Sequence, residues 1–354
     1  MTYLLIPAAG ASSRFSFTRP KFLLQHPLGG TMLQHSISGL GNLESFGVDK
    51  ILIVSLEKYF TDISIEKLSD EIFEVTGIQV EFLLLNDPTG SMVETIVKGI
   101  THIGHEVSLI IKDCDNLVEL SEELFSRKFN IISSVDLAKF PNIRADNKSF
   151  LKISTDGMLE NIVEKRIISS YINVGCLKFV SSSDFLSCAL ELQGSSEIYV
   201  SDIVRLLLEK GEQFLTLPAL NYEDWGTQED WLRFTSTFAT YFVDIDGVLA
   251  LNENPLSKSG GWQRIRPIES NCAALLELQN LGRTKLIFTT TRSTRFKKEV
   301  KVALESIGFK SVELLMDLPH AKRILINDFA PTNPYPTAIA INLERNSSNL
   351  QNYF

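Results

Sequence analysis

The chain predicts an α/β protein built of two Rossmann-like three-layer domains, and three observations carry that expectation. Short apolar runs alternate with segments of helical spacing, the pattern of a mostly parallel sheet covered by helices on both faces. The alternation comes in two series divided near Phe234–Thr240, which gives domains over residues 1–236 and 240–354. Each series opens on a strand whose end carries small or acidic residues, where ligands bind in sheets of this kind.

In the first series Tyr3–Ile6, Lys50–Val54, Val80–Leu85 and Val107–Ile111 predict buried strands, because they are β-branched or Leu-rich and bounded by turn residues. Between them, Thr31–Leu43, Ile63–Val75 and Ser91–Ile103 predict helices. In the second series Tyr241–Val243, Lys285–Phe288, Val312–Leu315, Arg323–Ile326 and Ala338–Ile341 predict strands, with helices at Ser270–Leu281 and Phe296–Ile307. The polar, Asn- and Ser-rich tail Arg345–Phe354 predicts a loose end.

Composition limits the function classes. The 354 residues suffice for two cores, and 44% apolar with 22% charged residues is an ordinary globular balance. A net charge of -9 argues against nucleic acid as a partner, since phosphate-backbone binding needs clustered Lys and Arg. Cys114, Cys176, Cys188 and Cys272 are scattered without CxxC or zinc spacing, which suits a reducing compartment. The opening MTYLLIPAAG lacks a basic n-region, and no apolar stretch reaches the roughly 18–20 residues that span a bilayer. A cytoplasmic protein with no membrane partner is expected, and a homo-oligomer is left open.

The loop Ala8, Ala9, Gly10, Ala11, Ser12, Ser13, Arg14 places small residues where backbone amides can approach an anion. Arg14, with Arg19 and Lys21 a few residues on, adds cations. A plain Gly-containing β–α turn is the alternative for the loop alone, and GxxxxGK[ST] is absent.

Together, Pro7–Phe15 and Arg19-Pro-Lys21 resemble the AAGxGxR…PK signature of sugar-phosphate nucleotidyltransferases, with Ser12 where that family has Gly. Four later stretches resemble the same family in the same order, so the resemblance covers about residues 1–235. Pro88-Thr-Gly-Ser91, with Gly90 and Ser91 opening a helix, is similar to the segment that contacts the base. Lys112-Asp-Cys-Asp-Asn116 is similar to the acidic metal-binding turn. Val163-Glu-Lys165 with Tyr171–Gly175 is similar to the acceptor-phosphate segment. Tyr222–Thr227 is similar to the turn that carries a second metal-binding aspartate. The resemblance implies attack of an acceptor phosphate on the α-phosphorus of a nucleoside triphosphate, with pyrophosphate leaving. It implies Mg2+ held by Asp113 or Asp115 and by Asp224. Arg14 and Lys21 would then grip the triphosphate, and Lys165 the acceptor phosphate. The compact loop with its short spacing to Arg19-Pro-Lys21 resembles cytidylyltransferases more than thymidylyl- or uridylyltransferases, which implies CTP. The resemblance leaves the acceptor open among a hexose or heptose 1-phosphate, a polyol phosphate and a phosphorylated amine.

In the second series Asp244-Ile-Asp-Gly-Val-Leu249 resembles the first motif of haloacid-dehalogenase-type phosphatases. That resemblance implies Asp244 as nucleophile, Asp246 as acid and base, and Thr290 of Thr289–Arg292 as the hydroxyl that binds the phosphoryl group. Lys322, with Arg323 as a rival, is implied as the balancing cation. Asp244, Asp246 and Asp328 are implied as magnesium ligands, with Asn327 where the family has another acid. The Asn252–Arg266 loop is too short for a cap domain, and Gly260-Gly-Trp262 within it suits a flap or a Trp-anchored loop.

The sequence therefore supports a bifunctional enzyme of activated-sugar or polyol synthesis for surface glycans. Two alternatives stand beside it: an active transferase with a degenerate, structural or regulatory second domain, and a nucleotide-binding sensor without turnover.

Overall fold

The computed structural model describes residues 1–10, 19–104, 106–122, 125, 128–140, 143–194, 197–252, 264–327 and 337–354. The chain divides into two compact units, Met1–Phe234 and Thr235–Phe354.

The first unit runs β1 (Thr2–Ala8), α1 (Met32–Ser38), β2 (Lys50–Leu56), α2 (Ile65–Thr76), β3 (Val80–Leu85), α3 (Met92–Ile103), β4 (Ser108–Lys112) and β5 (Asn116–Glu119). It continues with β6 (Asn130–Asp136), β7 (Ser149–Ile153), β8 (Leu159–Glu164), β9 (Tyr171–Phe179), α4 (Ser182–Glu191), α5 (Val200–Glu209), β10 (Phe214–Pro218), β11 (Asn221–Asp224) and α6 (Gln228–Ser236). Among the described residues the main sheet follows the order β10-β6-β9-β4-β1-β2-β3, with β7 and β8 joined through β9. β1, β2, β3 and β4 are parallel, but β9 runs antiparallel to both β4 and β6. Along that path β10, β6, β4, β1, β2 and β3 run in one direction and β9 is reversed between them, so the sheet is mostly parallel, as the alternation predicts, with one antiparallel strand inserted.

Alternation along β1 builds the layers. Leu4 and Ile6 enter a core with Leu33 and Ile37 of α1 and Leu68 and Ile72 of α2, while Tyr3 and Leu5 enter a second core with residues of α3, α4 and α5. Gly99 lets α3 lie close to the sheet: a Cβ there would stand 2.5 Å from Leu5 Cδ1 and 3.2 Å from Val54 Cγ2. Helix α1 stops at Ser38 instead of reaching Leu43. At the next position, Gly39, a Cβ would fall 2.3 Å from Leu117 Cδ1 on β5, so β5 packs where a longer side chain would project.

The second unit holds β12 (Ala239–Asp244), α7 (Glu269–Asn280), β13 (Thr284–Thr289), α8 (Lys297–Ile307) and β14 (Glu313–Leu315). The strands form a parallel sheet in the order β12-β13-β14 over a core of Val243, Leu275, Leu286, Phe288 and Leu304. The expected strands Arg323–Ile326 and Ala338–Ile341 are not formed. Ile324, Leu325, Ile326 and Ile339 are exposed, so no burial offsets the entropy of ordering an extended backbone there. The tail is tied down, against expectation. Asn346 N donates to Gly247 O (2.8 Å), Asn271 Nδ2 to Ser347 O (2.8 Å) and Leu350 N to Asn271 Oδ1 (3.1 Å), and the Phe354 ring meets Tyr241 edge-on.

Candidate functional site

In the first unit the candidate residues gather at the carboxyl ends of β1 and β4. Of the predicted loop, Ala8, Ala9 and Gly10 are described, and Ala11, Ser12, Ser13 and Arg14 lie outside the described residues. The carbonyls of the three described residues are held by the scaffold. Ser55 Oγ donates to Ala8 O (3.3 Å), Thr89 N to Ala9 O (3.4 Å) and Tyr59 Oη to Gly10 O (3.2 Å). The Thr89 bond joins this loop to the Gly90–Ser91 segment. There Ser91 caps α3 by accepting from Glu94 N (3.1 Å), and Gly90 N donates to Glu94 Oε2 (2.8 Å). Lys21 heads a short 3-10 turn fixed by the buried side chains Phe22 and Leu23, and its Nζ pairs with Asp115.

The acidic turn leaves β4 around a fully buried amine. Lys112 Nζ donates to Ser36 Oγ (2.8 Å), Asp113 O (2.8 Å), Asn116 O (3.1 Å) and Asn116 Oδ1, so the turn is folded about a cation. Burial lowers the Lys112 pKa, and the neighbouring Asp113 charge opposes that. Asp113 is itself pushed up to about 6, first by burial and then by Asp115, against the pull of Lys112, Lys148 and Lys21. Gly175 on β9, at φ 77°, makes room for the Asp113 carboxylate.

Asp224 reaches the same place from the other end of the unit. β11 pairs antiparallel with β5 and sets Asp224 opposite Asn116, and Trp225 N then donates to Asp115 O (3.0 Å). The Trp225 side chain is buried among His26, Trp231 and Phe234, which anchors the turn. The position of a Cβ on Gly226 is 3.0 Å from Asp224 Oδ1 and 3.5 Å from Asp115 Oδ2, so the two carboxylates flank one glycine. Lys148 Nζ lies 2.6 Å from Asp224 Oδ2 and donates to Tyr222 Oη (3.1 Å). Burial opposes the Lys148 charge, but Tyr222 and Asp224 outweigh it and hold its pKa up.

Lys165 follows β8 at φ 53°. Its Nζ donates to Tyr199 Oη (2.8 Å) and sits over the Tyr199 ring, and the hydrogen bond holds its pKa up. Its backbone N donates to Lys148 O (3.0 Å), so the two lysines are neighbours. Sequence reasoning missed Lys148 and Tyr199, and a lone Lys or Tyr outside any motif gives no signal of its role.

Among the described residues no group of three His, Cys, Asp or Glu side chains is placed to hold a metal ion. The donor chemistry nonetheless fits magnesium: Asp113, Asp115 and Asp224 offer hard oxygen atoms only, and two of them converge beside Gly226.

In the second unit Asp244 ends β12 in register with Thr289 of β13. Its pKa is raised by burial and by Asp246, while Arg323 and His320 draw it down; Lys322 is exposed. Asp246 is held from two sides. Thr290 Oγ1 donates to its Oδ2 (2.8 Å), and Arg292 donates through Nε (3.0 Å) and Nη2 (2.7 Å) to Oδ1. Arg292 adjoins the predicted hydroxyl run, yet its role as a clamp shows only in the geometry. Gly247, at φ 96°, turns the chain between Asp246 and the tail. Asp328 and Gly260-Gly-Trp262 lie outside the described residues. No described helix is long and apolar enough to cross a membrane.

No protein-family model and no curated protein matches the chain. Solved structures do. A nucleoside-diphosphate-sugar pyrophosphorylase from Vibrio cholerae RC9 is 20% identical with a TM-score of 0.54, over 65% of this chain and 98% of that one. A UDP-glucose pyrophosphorylase complexed with UDP-glucose is 17% identical with a TM-score of 0.52, over 66% and 96% of the two chains. At these identities the likeness establishes a shared fold: about two thirds of the chain has the mixed α/β architecture found in sugar nucleotidyltransferases.

Proposed function

We propose that the Met1–Phe234 unit transfers a nucleoside monophosphate, from CTP by preference, to a phosphorylated sugar or polyol and releases pyrophosphate. The observation that supports this most is the meeting of Asp113, Asp115 and Asp224 with Lys21 and Lys148 beside the Ala8–Gly10 strand end. Both reactants are anions, so the barrier is set by charge repulsion and alignment, and no protein nucleophile is required. Lys21 and Arg14 grip the triphosphate. Lys165, steadied by Tyr199, holds the acceptor phosphate so that one of its oxygens faces the α-phosphorus. Asp113 or Asp115, together with Asp224, would hold magnesium, which would neutralise the α-phosphate and the leaving group. The structural neighbours, a nucleoside-diphosphate-sugar pyrophosphorylase and a UDP-glucose pyrophosphorylase, agree with this reading. A screen of four nucleoside triphosphates against sugar, polyol and amine phosphates tests it: magnesium-dependent pyrophosphate release is expected, and none with any pair sinks it.

For the Thr235–Phe354 unit we propose a capless phosphatase of the haloacid-dehalogenase type, which completes a bifunctional enzyme of activated-sugar synthesis for a capsule or lipopolysaccharide. The supporting observation is the convergence of Asp244, Asp246 and Thr290 at adjacent parallel strand ends. Asp244 attacks phosphorus to give an aspartyl-phosphate; Asp246 protonates the leaving alcohol and then takes a proton from the attacking water. A second reading, a degenerate regulatory unit, is favoured by Asn327 in place of an acid and by the engagement of both Asp246 oxygens by Thr290 and Arg292. Hydrolysis of a panel of phosphate esters, lost in Asp244→Asn, separates the two.

A further inference from the structure

Lys148 belongs to none of the motifs legible in the sequence, yet it occupies the centre of the first unit's polar cluster. Its Nζ pairs with Asp224 at 2.6 Å, its hydrogen bond to Tyr222 Oη aims it, and its carbonyl is bonded to the backbone of Lys165. Asp224 is 7% exposed and Lys148 21%, so the carboxylate is the deeper partner and the ammonium the one with room to leave. Lys21 and Asp115 form a second such pair, but there the two side chains are equally deep.

We propose that Lys148 is an exchangeable cation that neutralises Asp224 while the site is empty and turns to a phosphate group once a divalent cation takes that carboxylate. This deepens the transferase reading and rests on it. A buried carboxylate is costly without a counter-charge, so Asp224 needs Lys148 when no metal is present. A divalent ion on Asp224 replaces that attraction by repulsion between two cations, since Lys148 starts within ordinary ion-pair distance. The ammonium sits on a flexible four-carbon stem with three donors, which lets it swing to a nearby anion without backbone change. The anion at hand is the phosphate held by the adjoining Lys165. Metal and phosphate then strengthen one another reciprocally, because each removes the partner that the other needs displaced.

Lys148→Met and Lys148→Gln test the exchange by calorimetric titration of the full chain, first with Mg2+ alone and then with inorganic pyrophosphate and inorganic phosphate at saturating Mg2+. Removing Lys148 takes away the competitor for Asp224 and the donor to phosphate together. Mg2+ alone is therefore expected to bind more tightly, and the phosphate probes more weakly, each by about tenfold, within the usual span of coupling between sites. A merely structural role moves both affinities downward. Magnesium affinity unchanged or weakened in a variant with the wild-type melting temperature overturns the proposal, as does unchanged affinity for both phosphate probes. If both variants melt early, Lys148→Arg decides: retention of the wild-type pattern upholds the exchange, and loss of the coupling between magnesium and phosphate refutes it. These titrations read binding alone, so absence of pyrophosphate release in the substrate screen refutes the transferase reading without altering their outcome.

Discussion

Gly175 and Asp113 are so close that a Cβ on the glycine would stand 2.0 Å from Asp113 Oδ2 and 2.5 Å from its Cγ. The aspartate cannot retreat easily, because its backbone N donates to Gly175 O at 2.8 Å. Gly175→Ala must also adopt φ 77°, which costs an L-residue about 1–2 kcal/mol. With the crowding added, a loss of about 2–4 kcal/mol is expected. A lowered urea midpoint, with nucleotidyl transfer reduced more than the remaining fold accounts for, checks it; a wild-type midpoint and rate would show that the turn simply shifts.

Gly99 gives the matching prediction for the scaffold. Its missing Cβ lets α3 rest on Leu5 and Val54, both fully buried. Gly99→Ala is expected to cost about 1–3 kcal/mol even though alanine favours helix. Denaturant unfolding measures it, and a stabilised variant refutes the close packing.

Strands β1 to β4 were legible because each is an apolar run bounded by turn residues, and the structure returns their bounds nearly as expected, although β3, expected to be buried, lies at the sheet edge and is half-buried throughout. β5 and β11 were not, since Asn116–Glu119 and Asn221–Asp224 are short and half polar; they are strands because they pair with each other. Without that pairing Asp224 has no fixed relation to Asp115, so local pattern never places the site, and only the ordered motif resemblance suggests it. Arg323–Ile326 shows the opposite failure. Its residues have strand propensity, but propensity is a preference for a half-buried pleat, and no such surface covers them here. Lys148 was beyond reach because nothing about one lysine before a strand reveals an aspartate distant in sequence.

Independence of the two proposed activities is testable by one substitution in each unit. Asp224→Ala removes a carboxylate flanking Gly226 and is expected to abolish pyrophosphate release while leaving phosphate-ester hydrolysis at its wild-type rate. Full transfer activity in that variant would falsify the assignment of Asp224.

Burial of all four cysteines sets an alkaline limit on stability. Burial pushes the Cys272 thiol up to about 11 and the Cys176 thiol up to about 12. A thiol whose folded pKa is raised contributes stability that is fully present below its unfolded value of 9.0 and is lost as pH rises toward the folded value. Melting temperature is therefore expected to fall progressively above about pH 9. Iodoacetamide should leave the native protein unmodified at pH 8 and alkylate it after urea unfolding, because the thiolate is the reactive form. Rapid labelling of the native chain contradicts the burial.

Arg292 and Asp246 form an enclosed ion pair in the second unit, with side chains 3% and 13% exposed. The guanidinium meets the carboxylate through Nε and Nη2, and Nη1 donates to Arg264 O (3.2 Å), so its planar fork is used on two sides. Thr290 closes the arrangement, accepting from Arg292 N (3.0 Å) while donating to Asp246. Arg292→Met leaves a mostly buried carboxylate with Thr290 but no cation, and such losses cost about 3–5 kcal/mol. Arg292→Lys keeps the charge and loses the fork, so an intermediate cost is expected. Asp246→Asn in the Arg292→Met background should recover much of the stability, since the unpaired charge is then gone; a double-mutant cycle in urea measures the coupling. Additive effects of the two substitutions would mean that the pair is not coupled, and the orientation of Asp246 would then have to come from Thr290 alone. If the pair is coupled, Arg292→Lys should slow any phosphate-ester hydrolysis without changing which esters are cut, because Arg292 is buried and its guanidinium bears on Asp246.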